Sequence, residues 1–398
     1  MEYDKSKYNR FDNIKGTALE DVIYPGNSET ERERNRHLLK EYDIPVYGEA
    51  LSGYFGQQLQ TVEKISRVPA VRTRVGTRGN YKAGMARTAD GTLYITPCRP
   101  LWGNKGPYDV TFHINVFRSR DNGETWEQIN QTDMLGKEPS LCALPDGTLV
   151  MTAQLMEGGN MTHTMPVYRS TDGGVNWTKT IISGTSRDYP RNVFVDRDGS
   201  VCFVRTLDHR YEFETDKTGE SSDLEVFRSY DGGISWQRDI GKLDWDYAGI
   251  MEVCAIRARE GSMLATIRHQ PSGTMGEGFE NTLLTESLDD GKTWSRPRRI
   301  SGTGEPHFFL TELSDGRLLA TYSHYHVPYG VAAMISADGG KTWDRDNFYH
   351  LAHSHDAYTG WPVTIELPDR SLITSCAVTN FWEEKPYTTS CETVRWRL

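Results

Sequence analysis

The octet SADGGKTW, residues 336–343, has four close relatives in the same chain: SRDNGETW from Ser119, STDGGVNW from Ser170, SYDGGISW from Ser229 and SLDDGKTW from Ser287. Ser, Asp, Gly and Trp stand in register in all five. The octets begin about fifty to sixty residues apart, a period that belongs to solenoids, arrays or propellers. A second element alternates with them, a short turn between apolar runs: ADGTLYI from Ala89, PDGTLVM from Pro145, RDGSVCF from Arg197, REGSMLA from Arg259, SDGRLLA from Ser314 and PDRSLIT from Pro368. The chain is therefore one unit used six times, the last without its octet.

Each unit reads as strands. In the second, PSLCAL, a PDG turn, TLVMTAQ, a loop, MPVYRS, the octet and NWTKTII follow one another. The runs are short, apolar or β-branched, and bounded by Gly, Asp and Pro, as hairpins require. Four strands per unit and six units predict an all-β fold: a six-bladed β-propeller of four-stranded antiparallel blades. Residues 51–398 form that single domain, and residues 1–50 an N-terminal arm with one charged helix over 28–42. The sixth unit lacks a fourth strand, and the segment 56–65 (GQQLQTVEKI) is expected to supply it, removing the open edge.

These octets resemble the Asp-box (BNR) repeats of the sialidase (neuraminidase) superfamily, over about residues 80–398. The resemblance implies a six-bladed propeller with its substrate at one end of the central axis, and exo-acting hydrolysis of a terminal acidic sugar. The octet itself reads as a fold device: Asp bonds nearby amides, Gly supplies positive φ and Trp packs between strands.

Strand polarity places both turn types on one face, so chemistry is expected on the other. Eight residues before each turn acid, at the mouth of the first strand, stand Lys82, Glu138, Glu252, His307 and Trp361, with Pro190 beside Arg191 in the third unit. At the exits of the second strands stand Arg99, Gln154, Arg205, Arg268 and His324. Three arginines and Lys82 outnumber the two glutamates, which points to an anion-binding pocket. The alternative is a structural ion network in which the glutamates neutralise the arginines. His326 and His355 add to the histidines near this rim, suited to proton transfer. Their alternation in HYH and HSH is ordinary for strands, and neither a metal nor a cofactor is expected.

The sequence departs from the sialidase pattern at two places. The Arg-Ile-Pro motif aligns on Tyr81-Lys82-Ala83, and the nucleophilic tyrosine aligns on Trp361, with Tyr358 close by. Asp109 stands where a loop aspartate acid/base would. Glu252, His307, Asp109 and Tyr358 are thus the catalytic candidates, and Lys82, Arg99, Glu138, Gln154, Arg191, Arg205, Arg268, His324, His326, His355 and Trp361 the substrate-binding ones. Removing Arg268 is expected to abolish activity with little effect on unfolding. A glycoside hydrolase is the leading expectation, a uronic-acid lyase the alternative, and a non-catalytic glycan-binding propeller the third.

Composition narrows the partners. A net charge of −10 without a basic block argues against nucleic acid and anionic membranes. No apolar stretch approaches the ~20 residues of a membrane helix, and the first residues carry no apolar leader, so a cytoplasmic protein or a secreted one whose leader was removed is expected. The arm 1–50 is available to pack on a second copy. Six cysteines without a C-x-x-C pair read as buried thiols, all but Cys391 in strand-like runs.

Overall fold

The computed structural model describes residues 13–16, 22–23, 65–67, 70–77, 79–102, 110–157, 160–162, 164–183, 190–207, 223–245, 249–270, 280–325, 329–354, 359–380 and 388–398. Six four-stranded antiparallel sheets follow one another along the chain. Blade one is Tyr81–Arg87, Leu93–Trp102, Val110–Ser119 and Glu127–Leu135; blade two is Lys137–Ala143, Leu149–Gln154, Thr164–Ser170 and Thr178–Ser183. Blade three is Val193–Val195, Val201–Thr206, Leu224–Ser229 and Gln237–Leu243, and blade four Ile250–Arg257, Met263–His269, Asn281–Ser287 and Arg298–Arg299. Blade five is Phe309–Glu312, Leu318–His324, Gly330–Ser336 and Asn347–His353. Blade six takes Gly360–Glu366, Leu372–Asn380 and Thr388–Trp396 from the end of the chain and Ala70–Val75 from its beginning. The protein is an all-β six-bladed propeller.

The closing strand is AVRTRV, later in the chain than the segment 56–65 that the sequence suggested. Strand-forming Val and Thr residues alternate in AVRTRV, whereas residues 56–64 lie outside the described residues, as does the expected helix over 28–42. Asn13–Gly16 and Ile65–Arg67 add parallel strands beyond blade five, and Val22–Ile23 lies parallel to the closing strand on blade six.

Blades are held by apolar faces. Six clusters of buried side chains fill the six interfaces; Phe203, Met165 and Val150 lie between blades two and three, and Val378, Leu351 and Trp396 between five and six. Inner strands are buried on both faces, so they read as continuous apolar runs, while the fourth strand of blade two is mostly exposed. All six cysteines are buried and unpaired, including Cys391, which lies in a strand.

The octet turns repeat one hydrogen-bond pattern. Ser170 Oγ donates to Asp172 Oδ1 at 2.9 Å and accepts from Gly174 N at 2.9 Å, and Asp172 Oδ1 accepts from Asn176 N at 2.9 Å. The seventh residue, Thr, Asn or Ser, donates its side chain to the second carboxylate oxygen in every octet.

Ring closure carries a buried ion pair. Arg72 Nη2 donates to Glu392 Oε2 at 2.7 Å, and both side chains are fully buried. Arg72→Ala removes a buried counter-charge of Glu392 and should cost about 3–5 kcal/mol; Arg72→Met/Glu392→Leu should recover much of it. Chemical denaturation midpoints of the two variants test this.

Candidate active site

Five residues at the mouths of first strands share one backbone state. Lys82, Glu138, Glu252, His307 and Trp361 have φ of 46°, 53°, 49°, 59° and 50°. None is glycine, so each is held in the left-handed region at a cost of order 1–3 kcal/mol. In three of these blades the ladder slips at this point, between Tyr81 and Ala83, Met251 and Val253, and Gly360 and Val363. A slip of one residue re-aims the side chain. The same device, repeated by the propeller, turns these five side chains toward one another.

They meet in a buried, alternating charge network. Lys82 Nζ donates to Glu138 Oε1 at 2.5 Å, and Lys137 reaches the same oxygen at 3.3 Å. Arg191 Nη1 stands 3.9 Å from Glu138 Oε2. Arg268 bonds Glu252 through Nη1 and Glu280 Oε1 through Nη2, the latter at 2.8 Å. His307 Nε2 lies 3.2 Å from Glu252 Oε2, while its Nδ1 lies 2.9 Å from Ser323 Oγ and 3.2 Å from Tyr325 Oη. Because a carboxylate only accepts, the proton of a neutral His307 belongs on Nε2, and Nδ1 accepts from the two hydroxyls. Ser323 Oγ in turn accepts from Trp361 N at 3.2 Å.

Burial and charge set the protonation states. Burial raises the Glu138 carboxyl, but Lys82 and Lys137 outweigh it and hold it at about 2. Burial likewise works against Glu252, which His307 and Arg268 keep well below the usual carboxylate range. Burial lowers His307 to about 4, against the opposing pull of Glu252. At neutral pH the pair is therefore an ionised Glu252 and a neutral His307.

Several sequence-predicted residues stand elsewhere. Arg205 is fully buried between blades two and three, paired with Glu225 at 2.8 Å and lying over the Phe227 ring at 4.9 Å. Its strand faces the neighbouring blade at that position, so it does not join the network. Arg99 is exposed, opposite His113 and three residues short of the end of its strand Leu93–Trp102. Gln154 is buried and donates to Leu155 O and Thr162 O, and His324 is buried at a strand end. The Trp361 ring has Lys82 Nζ over it at 3.9 Å and His307 beside it at 5.1 Å, so that face is not open for stacking. Asp109, Tyr358, His326 and His355 lie outside the described residues. Sequence reasoning missed Lys137, Glu280, Ser323 and Tyr325; the first adjoins Glu138 in the chain, and the rest carried no signal.

The charge balance therefore differs from expectation. Lys82, Lys137, Arg191 and Arg268 face Glu138, Glu252 and Glu280. Arg268 bridges two buried carboxylates, so its loss should lower stability as well as activity. Among the described residues no group of three or more His, Cys, Asp or Glu is arranged to hold a metal ion.

The fold is that of the sialidase-like propellers. No family model matches the sequence. Similar solved structures include a protein of unknown function from Dyadobacter fermentans (TM-score 0.62, 18% identity, 82% of this chain and 98% of that one). A NanB sialidase from Streptococcus pneumoniae has TM-score 0.59 at 12% identity, over 81% of this chain and 70% of that one. An α-L-arabinanase from Penicillium chrysogenum, complexed with arabinobiose, has TM-score 0.54 at 14% identity, over 79% and 93%. At such identities the likeness is one of fold.

Two measurements check the site. Gly360 has φ of +110°, and a Cβ there would fall 1.8 Å from Ser323 Oγ and 2.9 Å from its Cα. Gly360→Ala should displace Ser323 and shift the ring-nitrogen NMR signals of His307. His307 and His269 are both lowered from 6.5 to about 4 by burial. The unfolded chain protonates them first, so their contribution is full above about pH 6.5 and is lost as pH falls toward about 4. Thermal unfolding against pH should show that slope, and His269→Phe should make it shallower.

Proposed function

We propose that this protein is a glycan-active hydrolase that releases a terminal sugar at the mouth face of its propeller. The observation that carries this is the ionised, doubly held Glu252, with a second ionised carboxylate, Glu138, across Arg191. Glycosidic cleavage passes through an oxocarbenium-like state, which a fixed carboxylate stabilises as nucleophile, base or counter-charge. Glu252 is suited to that task because Arg268 bonds its Oε1 and His307 Nε2 stands 3.2 Å from its Oε2. Neither glutamate holds a proton at neutral pH, so the acid must come from another group, and Asp109 is the sequence candidate. The sialidase and arabinanase of the same fold support a sugar substrate.

Of the arginines that the sequence offered to an acidic sugar, Arg191 and Arg268 stand at the mouths, each beside a buried glutamate, and Arg99 and Arg205 do not join them. A second reading, a uronate lyase, is favoured by the contact of Tyr325 with His307 Nδ1. There Tyr325 would take the C5 proton while passing its own phenolic proton to His307 Nδ1, and the C4–O bond would break to leave the unsaturated uronate.

Product analysis on neutral glycosides, sialosides and uronides separates the readings. Hydrolysis yields new reducing ends without unsaturated uronate absorbance; that absorbance identifies the lyase, and binding without turnover identifies a binding propeller. Glu252→Gln should lower turnover about a thousandfold while substrate still binds. Turnover surviving that change removes Glu252 from the chemistry.

A further inference from the structure

One corner of the network is incomplete. Glu138 Oε1 is taken by Lys82 and Lys137, but Oε2 accepts no hydrogen bond among the described residues, although its side chain is 1% exposed. Arg191, on the neighbouring blade, is 8% exposed and its Nε donates to no acceptor among the described residues. Its Nη2 reaches Pro362 O at 3.5 Å, and its Nη1 stands 3.9 Å from Glu138 Oε2, too far for a hydrogen bond. A buried acceptor and a buried donor thus stand on adjacent mouths, each lacking its complement. Leaving such groups unpaired is costly, and native proteins rarely leave them so without a use.

We infer that the Glu138–Arg191 corner receives a hydroxyl of an uncharged sugar ring and disfavours the carboxylate of its acidic counterpart. This rests on the sugar-binding reading of the site. A hydroxyl is the sugar group that donates and accepts at once: its proton goes to Glu138 Oε2 and its oxygen takes Arg191 Nε–H. A carboxylate satisfies Arg191 alone and then faces an ionised oxygen of Glu138 in a site that excludes solvent. The nearby cations are already engaged, Lys82 with Glu138 and the Trp361 ring, and Arg268 with Glu252 and Glu280. The corner selects by the hydrogen-bonding character of the group it meets, since a site built to bond a hydroxyl rejects an analogue that cannot serve both partners.

Matched sugar pairs test this, because galactose and galacturonate, or glucose and glucuronate, differ only at C6. Calorimetry or saturation-transfer NMR at neutral pH should find the neutral member of at least one pair bound about tenfold or more tighter, and N-acetylneuraminate bound weakly. Arg191→Met should weaken the neutral sugar about tenfold, with thermal unfolding measured in parallel. Glu138→Gln should bring the neutral-to-acid ratio toward one. If that variant does not fold because Lys82 has lost its counter-charge, Lys82→Met/Glu138→Gln serves the same purpose. Tighter binding of the uronates, an unchanged ratio in the Glu138 variant, or no binding in any pair overturns the inference. Neutral sugar bound but never released from oligosaccharides overturns the hydrolase reading and leaves this one standing. Hydrolysis of sialosides or uronides with acid-preferring binding does the reverse.

Discussion

Everything at the mouth face depends on a hydrogen-bonded seam between the two ends of the ring. Ala70–Val75 pairs antiparallel with Thr388–Trp396, from Cys391 opposite Val75 to Trp396 opposite Ala70. Within that seam Arg72 and Glu392 are buried together. A propeller blade has two apolar faces and is stable only between two neighbours, so an open ring would expose the faces of the first and last blades to water. The seam joins residues some 320 positions apart. Blade six thus cannot be completed until both ends of the propeller are present, and Trp361 at its mouth is placed by that closure.

Once the ring is closed, a single backbone deviation repeated by the fold creates the site. An ordinary strand would alternate side chains between the two blade interfaces. The left-handed residues at the mouths break that alternation and turn Lys82, Glu138, Glu252, His307 and Trp361 toward one another. Glycine would take this conformation with less strain. The chain instead places charged and aromatic side chains there, held by ion pairs and by Ser323, which accepts from Trp361 N and touches His307. Gly360, whose side a methyl cannot share with Ser323, marks how closely blades five and six approach.

Charges in such a cluster are costly to bury singly and tolerable in alternation. Glu138 is flanked by Lys82, Lys137 and Arg191, and Glu252 by Arg268 and His307, so each carboxylate stays ionised despite burial. The same burial keeps His307 neutral. The ion pairs are thus what hold these carboxylates ionised and oriented at the mouths.

The repeat was legible because octet and Asp-Gly turns use local hydrogen bonds between residues two to four apart, which residue identity alone specifies. From them followed the blade count, the strand order and the register that singled out all five left-handed mouth residues. That register held only where one offset served every blade. At the second-strand exits it found Arg268, which joins the network, but one residue more or less decides whether an arginine meets the mouths, a neighbouring blade, as Arg205 does, or solvent, as Arg99 does. The partners of the site, Glu280, Ser323 and Tyr325, are far in sequence from the residues they hold and carry no motif. The sequence by itself determined a six-bladed propeller and the rim of interest, since both rest on local chemistry repeated at a fixed period. Tertiary structure alone decided which charges meet, because pairing across blades depends on ångström-scale differences in strand ends that no periodicity encodes.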